Sequence, residues 1–219
     1  SKPADATRLF AGNLEQEGFT LGIRELDRAG IMPRRKEMLM FVAPRKRGKS
    51  WFCTHVAKRS LLQRWSTCVL TLEMSEQRYA VRFIQSFFSV SKREARVRLT
   101  KLVQEDGKLV DIIHEEVERI TLEDDGISVL LEQRVKRSFK NRPPMVVKEF
   151  PTGSLTVEEL EAWLDGMEMH EGISFDTLII DYPDLMKHNV ANKRLELGQI
   201  IERIRGIGVK RNAAIVVVT

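Results

Sequence analysis

The stretch MLMFVAPRKRGKSWF, residues 38–52, joins a short apolar run, a basic loop and the beginning of a helical pattern. It contains Gly48-Lys49-Ser50, the end of the phosphate-binding pattern G-x-x-x-x-G-K-[ST]. In that pattern, backbone N–H groups at a helix N-terminus surround phosphate oxygens, the lysine reaches the β- and γ-phosphates, and the hydroxyl binds Mg²⁺. The strand and helix that flank the loop here are the required setting. We therefore predict a nucleotide cradle formed by Ala43, Pro44, Arg45, Lys46, Arg47, Gly48, Lys49, Ser50 and Trp51.

The first position of the pattern is Ala43 instead of glycine, so a basic surface loop with a coincidental GKS is the alternative. Glycine is needed where φ is positive or where the backbone must approach a ligand closely. A residue that precedes proline is restricted to extended geometry, so Ala43 can end the strand while Pro44 directs the exit. Gly48, where the backbone must approach phosphate, is retained. We therefore favour the cradle.

Four further apolar runs follow the first one at intervals along the chain. They are TCVLTLE (67–73), MVVKEF (145–150), TLIIDY (177–182) and AAIVVVT (213–219). Runs of this length that are rich in valine and isoleucine are typical of strands buried on both faces of a parallel sheet. Helical periodicity in residues 49–64 and 195–209, and a capping box at 156–159, predict helices between them. The sequence thus predicts an α/β fold with a mostly parallel central sheet flanked by helices.

Two segments depart from this alternation. Residues 1–20 are punctuated by glycines and predict an N-terminal arm or linker ahead of a domain that spans residues 21–219. Residues 91–142 are rich in charge and show no convincing strand, so we expect a helical excursion there. A chain of 219 residues is long enough for one domain with a buried core.

The composition excludes several classes of protein. Hydrophobic residues make up 42% and charged residues 31%, which is typical of a soluble globular chain. With no apolar run long enough to cross a bilayer and no signal peptide, we expect a cytoplasmic protein without a membrane partner. Two cysteines without a CxxC pattern and four scattered histidines predict neither a zinc site nor a disulfide framework. The net charge of +5 permits a polyanionic partner without requiring one.

Two carboxylates follow predicted strands and are candidates for chemistry. Asp181 closes TLIIDY, and Glu73 ends TCVLTLE. The carboxyl ends of parallel strands form the sheet edge where ligands bind, so Asp181 predicts a magnesium ligand, with Asp184 as the weaker choice. A turn-capping role is the alternative for Asp181. Glu73 could polarise an attacking water, but strand-end glutamates are commonly inert, so the residues alone leave its role open.

The order and spacing of these motifs resemble DnaB-type replicative helicases, a branch of the RecA-like ATPases, and phage and plasmid members most closely. The likeness rests on MLMFVAPRKRGKS, VLTLEMS, VVKEFPTGSLTVEELEAWL and FDTLIIDYPDLM and covers about residues 20–219. Pairing LEMS with IIDY-x-x-LM is more specific than the phosphate loop, and residues 91–142 are the least recognisable part. The resemblance implies a RecA-like P-loop NTPase fold with ATP and Mg²⁺ as cofactors.

The resemblance also implies roles for single residues. It makes Glu73 the catalytic base, Lys49 the phosphate-contacting catalytic lysine, and Ser50 and Asp181 the magnesium ligands. The family continues beyond the fifth strand with a glutamine that senses the γ-phosphate, a DNA-contacting loop and basic residues that complete the neighbouring subunit's site. It also has an N-terminal helical domain that engages primase. We therefore expect residues 21–219 to be a C-terminally incomplete ATPase domain.

The function that the resemblance implies is an ATP-dependent DNA helicase motor core. It would hydrolyse ATP at the subunit interfaces of a homo-oligomer, which we expect to be a hexameric ring. It would translocate on single-stranded DNA during replication in a bacterial or phage-infected cell, with primase or a loader as further partners. In KHNVANKR, residues 187–194, we expect Lys187, Lys193 and Arg194 to contact DNA, with a solvated turn as an equal alternative.

Two other functions remain open at this level. One is a RecA-like recombinase or a helicase-loader ATPase, which hydrolyses ATP without unwinding DNA. The other is a non-catalytic, nucleotide-gated assembly module, which Ala43 and the missing C-terminal elements of the family motivate. The presence of all four catalytic and magnesium-binding residues argues against the second alternative.

Overall fold

The computed structural model describes residues 17–44, 46–92, 96–118, 120–122, 124, 126–188 and 192–219, with only the backbone of Glu105. The chain divides into two compact units. The first comprises the residues up to Ala80 together with Arg142–Thr219, and the second comprises Val81–Asn141. The two units are described one after the other.

The described residues form strands and helices that alternate over most of the chain. The strands are β1 (Met38–Phe41), β2 (Thr67–Thr71), β3 (Arg96–Glu105), β4 (Lys108–Glu118), β5 (Met145–Glu149), β6 (Thr177–Asp181) and β7 (Ala214–Val218). The helices are α1 (Arg24–Arg28), α2 (Lys49–Leu62), α3 (Glu76–Phe88), α4 (Ile127–Phe139), α5 (Val157–Glu171) and α6 (Lys193–Lys210), with a 3₁₀ turn at Pro183–Leu185. Among the residues described, no helix combines the length and apolar character needed to cross a bilayer.

The first unit is built on a parallel sheet with the strand order β1-β7-β6-β2-β5. The five predicted apolar runs are these five strands, so the predicted parallel α/β sheet is confirmed. Every residue of β2, β6 and β7 is buried, which explains why these strands are apolar without alternation. The register aligns the carboxyl ends of the strands in one row, formed by Phe41, Val218, Asp181, Thr71 and Glu149.

Helices α5 and α6 supply side chains to the main core of the first unit. Leu160 and Leu164 of α5 and Ile204 and Ile207 of α6 are buried in one cluster with side chains of β6 and β7. The predicted capping box begins α5: the Thr156 hydroxyl accepts a hydrogen bond from the Glu159 N–H (3.2 Å), and the Glu159 carboxylate accepts one from the Thr156 N–H (2.7 Å). These contacts satisfy N–H groups that a helix start otherwise leaves free.

Helix α2 is tied to the sheet by a buried polar contact. The Ser60 hydroxyl lies 2.8 Å from the Thr67 hydroxyl of β2 and 3.0 Å from the Thr177 hydroxyl of β6. Cys53 of α2 and Cys68 of β2 are both free and buried. Burial raises the pKa of the Cys68 thiol far above its ordinary value, so this thiol stays neutral.

The boundary of the predicted arm differs from the structure. Residues 1–16 of that arm lie outside the described residues, whereas Phe19 is buried and its ring meets Trp65 at 5.3 Å between centroids. Gly18 pairs with Arg34, and a side chain at Gly18 would come within 2.7 Å of the Pro33 carbonyl oxygen. This glycine therefore permits close packing and does not mark a linker, so the described fold includes residues that the glycine pattern assigns to the arm.

A charged cluster joins distant parts of the first unit at the amino ends of the strands. The Asp176 carboxylate accepts hydrogen bonds from the Arg35 guanidinium (2.7 Å) and from the backbone and hydroxyl of Ser66 (both 2.7 Å). Arg35 also lies 4.5 Å from the centre of the Trp65 ring. Burial opposes ionisation of Asp176, but the hydrogen bonds from Ser66 and Arg35 hold its pKa below the ordinary value.

The second unit contains an antiparallel hairpin where the charged composition predicts helix. Strands β3 and β4 pair from Arg96 opposite Glu118 to the turn at Asp106-Gly107. Both turn residues have positive φ (50° and 77°), as a type I′ turn requires. The expected helical excursion over residues 91–142 is therefore wrong for residues 96–118. An Asp-Gly pair between alternating apolar residues is a hairpin signal, and the high charge of the strands obscured it.

The helical expectation is met only in the last part of the second unit, at α4. Ile127 and Leu131 of α4 form a small buried cluster with Val90. The Phe139 ring at the end of α4 lies 5.1 Å from the Phe87 ring of α3. The second unit therefore combines a long hairpin with a modest aromatic and aliphatic core.

Candidate functional site

The basic loop leaves β1 at the row of strand ends and leads directly into α2. The Ala43 N–H donates a hydrogen bond to the Thr219 carbonyl oxygen (2.9 Å), which attaches the beginning of the loop to the end of β7. The rings of Phe41 and Phe52 lie 3.8 Å apart and link the strand to the first turns of the helix. The predicted strand–loop–helix setting is thus present, and Pro44 is exposed within it.

The remainder of the loop is exposed and has unusual backbone geometry. Lys46 and Gly48 both have positive φ (62° and 88°), and Gly48 directly precedes α2. A side chain at Gly48 would meet no atom within 4 Å, so the space in front of this backbone is open. Arg47 is exposed, and Arg45 lies outside the described residues. The loop therefore offers an accessible backbone and positive charge at the N-terminus of a helix.

The first turn of α2 carries Lys49, Ser50 and Trp51. Lys49 and Ser50 are half-buried, whereas the Trp51 side chain is exposed. The Ser50 carbonyl oxygen accepts a hydrogen bond from the Thr54 hydroxyl (2.8 Å), an ordinary contact within the helix. The Phe52 N–H donates to the Gly48 carbonyl oxygen, so the helical hydrogen bonds begin at Gly48. The N–H groups of this first turn face the loop, where a helix N-terminus favours anions.

Lys49 reaches from the loop to the strand that carries Asp181. Its ammonium lies 4.8 Å from the centre of the Tyr182 ring, and Tyr182 directly follows Asp181. Asp181 is buried at the carboxyl end of β6, and the peptide bond between Asp181 and Tyr182 is cis. Only β7 separates β6 from β1 in the sheet. The structure therefore brings the predicted lysine and the predicted magnesium-binding carboxylate to the same sheet edge.

Asp184, the weaker choice for a magnesium ligand, has a different environment. It lies in the 3₁₀ turn after β6, and its carboxylate accepts a hydrogen bond from the Thr219 hydroxyl (2.9 Å). This contact ties the turn to the end of β7, through the same residue whose carbonyl oxygen holds Ala43. Asp184 thus braces the strand end beside the loop, whereas Asp181 lies in the row of strand ends itself.

Glu73 follows β2 immediately beyond the point where β2 and β6 stop pairing. The Leu72 N–H still donates to the Asp181 carbonyl oxygen (3.0 Å), and the Leu72 carbonyl oxygen accepts from the Thr152 hydroxyl (2.6 Å). Glu73, one residue further, is exposed. Its position at the same edge as Asp181 agrees with the expectation from the strand pattern.

A group of charged residues beside Glu73 was not anticipated from the sequence. The Glu149 N–H at the end of β5 donates to the Glu76 carboxylate (3.0 Å), and Lys148 forms an ion pair with the same carboxylate (3.7 Å). These contacts join the start of α3 to the end of β5. Because β5 and β2 are distant in sequence, only the strand order could reveal that Glu76 and Glu149 meet.

The three residues that we expected to contact DNA are all exposed. Lys187 follows the 3₁₀ turn and is held by its backbone N–H, which donates to the Leu155 carbonyl oxygen (2.9 Å). Lys193 and Arg194 begin α6, beside the exposed side chain of Leu195. Residues 189–191, between these two groups, lie outside the described residues. All three basic side chains are accessible to solvent.

Comparison with known proteins is consistent with this arrangement. A family model described as the DnaB-like helicase C-terminal domain matches residues 18–219. A solved DnaB-like replicative helicase, described with its interactions with primase, is similar with a TM-score of 0.65 and 14% identity over 98% of this chain. A second solved structure, a helicase ATPase domain, is similar with a TM-score of 0.62, also at 14% identity over 98% of this chain. No curated protein sequence matches the chain.

The chain corresponds to only part of these relatives. It spans 46% of the solved replicative helicase and 68% of the chain that contains the second ATPase domain. At 14% identity, the two solved structures establish the shared fold, and the predicted RecA-like architecture is confirmed.

Proposed function

This chain belongs to the family of DnaB-like helicase C-terminal domains, and from that premise we propose that it is the ATP-hydrolysing motor core of a replicative DNA helicase. One observation carries the proposal: Lys49 of the basic loop lies 4.8 Å from the ring of Tyr182, beside the buried Asp181. A phosphate-binding lysine and a magnesium-binding carboxylate must meet at one sheet edge in this type of ATPase.

The loop has the features that a triphosphate requires. Backbone N–H groups at the start of α2 and the open space at Gly48 allow phosphate oxygens to approach closely. Lys46 and Arg47 are exposed and add positive charge. Lys49 would contact the β- and γ-phosphates and stabilise the negative charge that develops as the terminal phosphoryl group leaves. Ala43 has a packing role, because its N–H is bonded to the residue that ends β7.

The donor set at the sheet edge fits Mg²⁺. The Ser50 hydroxyl and the Asp181 carboxylate are oxygen ligands, which this ion prefers, and Mg²⁺ is usually held by one or two protein groups together with substrate phosphates. Asp181 is buried at the end of β6, where its charge favours a cation. When bound, Mg²⁺ neutralises phosphate charge and orients the nucleotide.

Glu73 is the residue that we propose to activate water. It is exposed at the end of β2, the strand next to β6, so a water molecule on the triphosphate side can reach its carboxylate. A carboxylate that accepts a proton from the attacking water contributes about 10²–10⁴-fold to the rate. Lys49, Ser50 and Asp181 position the phosphates, and catalysis therefore rests on orientation and electrostatics.

The remaining elements of the proposal come from membership of the family. We propose that copies of the protein form a homo-oligomer, most simply a hexameric ring, in which a neighbouring subunit completes each nucleotide site. Lys187, Lys193 and Arg194 are proposed to contact the backbone of single-stranded DNA, because basic loops hold such strands electrostatically. Primase or a loader is the proposed protein partner, in the cytoplasm of a bacterial or phage-infected cell.

The proposal is tested by measuring MgATP binding and turnover with and without single-stranded DNA. We expect Lys49→Ala to abolish MgATP binding, and Glu73→Gln to retain binding while turnover falls by at least about 100-fold. Lys210→Ala is the matched control, because Lys210 is an exposed lysine at the end of α6, ahead of the amino end of β7, and it should behave as the wild type.

The outcomes separate the functions that the sequence left open. Turnover that DNA stimulates and that Glu73→Gln abolishes supports the motor, and strand separation then distinguishes a helicase from a recombinase or loader. Binding that Lys49→Ala removes, without turnover under any condition, favours the nucleotide-gated assembly module or a site that needs a neighbour; mixing Lys49→Ala chains with Glu73→Gln chains tests the latter. If the wild-type chain does not bind MgATP, the proposal is wrong.

A further inference from the structure

The hairpin of β3 and β4, residues 96–118, has two long edges without a strand beside them. We call it the ribbon. Within the described part of the chain its sheet has only these two strands, of 10 and 11 residues, whereas strands of about five or six residues are usual. The outer N–H and C=O groups of such strands are a template for pairing with another chain. The ribbon is therefore open to a partner along both edges.

The ribbon also exposes more apolar surface than a solvated hairpin needs. Six of its large aliphatic side chains have between 46% and 60% of their area exposed: Leu99, Leu102, Leu109, Val110, Ile112 and Ile113. A two-stranded ribbon is only marginally stable by itself in water, and clustered apolar exposure commonly marks an interaction surface. A third strand on either edge would cover part of this surface.

Charge is divided between the two strands and indicates which partner fits. Strand β3 carries Arg96, Arg98 and Lys101, whereas β4 carries Asp111, Glu115, Glu116 and Glu118. Inside the ribbon these charges already face each other, since Arg96 forms an ion pair with Glu118 (3.1 Å) and Lys101 with Glu115. One edge of the ribbon is thus basic and the other acidic.

We propose that the ribbon docks on the ribbon of a second copy of this chain, with β3 of one copy antiparallel to β4 of the other. Opposite charges on facing strand positions stabilise a sheet, and like charges destabilise it. Pairing β3 with β3 sets the basic side chains near one another, and pairing β4 with β4 does the same for acidic ones. Pairing β3 with β4 repeats between copies the arrangement that already holds within each copy.

This contact is directional. Each copy uses its β3 edge for one neighbour and its β4 edge for another, so the contact can close into a ring or continue in a chain. Docking is confined to residues 96–103 and 111–118, because the pairing shifts register between Val103 and Gln104 near the turn. The charged side chains are mostly exposed, so added salt should weaken the association.

The ribbon contact goes beyond the proposed ATPase activity and is independent of it. The ribbon contains none of the residues assigned to nucleotide, magnesium or DNA. A failure to bind MgATP would therefore leave the ribbon contact intact, and loss of the ribbon contact would leave the nucleotide cradle intact.

Cross-linking between two variants that each carry one added cysteine tests the contact directly. Thr100 of β3 and His114 of β4 are exposed and face each other within the ribbon, while the native Cys53 and Cys68 are buried. We expect a short bis-maleimide to link Thr100→Cys chains to His114→Cys chains when the two are mixed. Neither variant alone should form linked dimers. No link in the mixture, or equal linking in Thr100→Cys alone, would overturn the proposal.

A charge exchange supplies the second test and controls for folding. The variant Arg96→Glu/Arg98→Glu/Glu116→Arg/Glu118→Arg keeps opposite charges across the ribbon, so the hairpin should fold and should still dock on itself. Its basic edge now lies on β4, and we expect it to be linked to chains with the native charges at least tenfold less than to its own kind. Introducing the two cysteine sites into this background provides the readout, and equal linking to both kinds of chain would contradict a charge-directed contact.

Discussion

Asp176 joins segments of the chain that are 110 positions apart, because its carboxylate binds Ser66 and Arg35 at once. Gly48 has the opposite character: it contacts little and leaves the backbone of the loop accessible. The first residue stabilises the frame of the sheet, and the second keeps the proposed nucleotide cradle open. Substitutions at these two positions should therefore affect different measurements.

Replacing Asp176 by asparagine should lower the free energy of unfolding at pH 7 by roughly 1–3 kcal/mol, because charged hydrogen bonds to Ser66 and Arg35 are lost. The folded state holds the pKa of Asp176 below its ordinary value of 3.8. Its contribution is therefore fully present above that value and is lost as pH falls through the lower folded pKa. Urea unfolding at pH 7 and pH 3 should show a smaller difference between Asp176→Asn and wild type at pH 3. The exposed Glu202→Gln is the control, and a difference that is constant with pH would contradict the assignment.

Gly48→Ala should weaken MgATP binding by at least tenfold. The residue has φ of 88°, a region where a side chain costs about 1–3 kcal/mol, and no neighbouring atom would oppose the added methyl group. The loop should relieve this strain by changing its backbone conformation. Gly166→Ala in the interior of α5 is the matched control, since it also meets no atom and should stabilise the helix by up to about 1 kcal/mol. Titration of MgATP decides, and unchanged affinity in Gly48→Ala would separate this glycine from the cradle.

At the scale of single elements, local signals in the sequence have clear structural counterparts. Helix α5 begins at Thr156 with both hydrogen bonds of a capping box in place. The ribbon turns at Asp106-Gly107 with the two positive φ values of a type I′ turn. Each element therefore starts or reverses where short-range hydrogen bonding and backbone freedom allow it.

Removing the cap of α5 should reduce stability without changing the fold. We expect Thr156→Ala to lower the free energy of unfolding by about 0.5–2 kcal/mol, because the Glu159 N–H loses its acceptor. Thr156→Ser retains a hydroxyl and should remain close to the wild type. Urea unfolding of the three proteins measures the effect, and equal losses for serine and alanine would show that the Thr156 methyl group, rather than its hydroxyl, is responsible.

The elements also show what the sequence could and could not predict. The five strands of the central sheet were predictable, because strands buried on both faces must be apolar throughout. The ribbon was misread, since its charged residues alternate with aliphatic ones and the Asp106-Gly107 signal was outweighed by composition. The contacts of Lys49 with Tyr182 and of Thr219 with Asp184 depend on the strand order, which no local pattern specifies.

At the scale of the whole molecule, the proposed nucleotide site and the ribbon belong to different units. The cradle and Asp181 lie in the unit with the parallel sheet, and residues 96–118 lie in the other. The two proposed activities, nucleotide binding and ribbon docking, can thus be measured separately in the same protein. Family membership predicts the motor, while the ribbon adds a surface on which copies of this chain are proposed to meet.

Binding of MgATP should stabilise the first unit selectively. A ligand that binds only the folded state at about 100 times its Kd raises stability by about 2.7 kcal/mol. We expect MgATP to slow hydrogen exchange of amides in β1, β6 and β7, and to leave exchange in the ribbon unchanged at low protein concentration. Lys49→Ala should remove this protection. Equal protection in Lys49→Ala would show that nucleotide binds elsewhere.

The strand order has a further consequence for how the protein is made. In the described sheet, β1 pairs with β7, so the loop after Phe41 is held in place by residues near Val218. At synthesis rates of about 5–20 residues per second, roughly 10–35 s separate the emergence of these two strands from the ribosome. Throughout that interval a nascent chain carries its phosphate-binding loop without the neighbouring strand that shapes it. We therefore expect nucleotide competence to arise late and all at once, which keeps half-made chains from sequestering ATP.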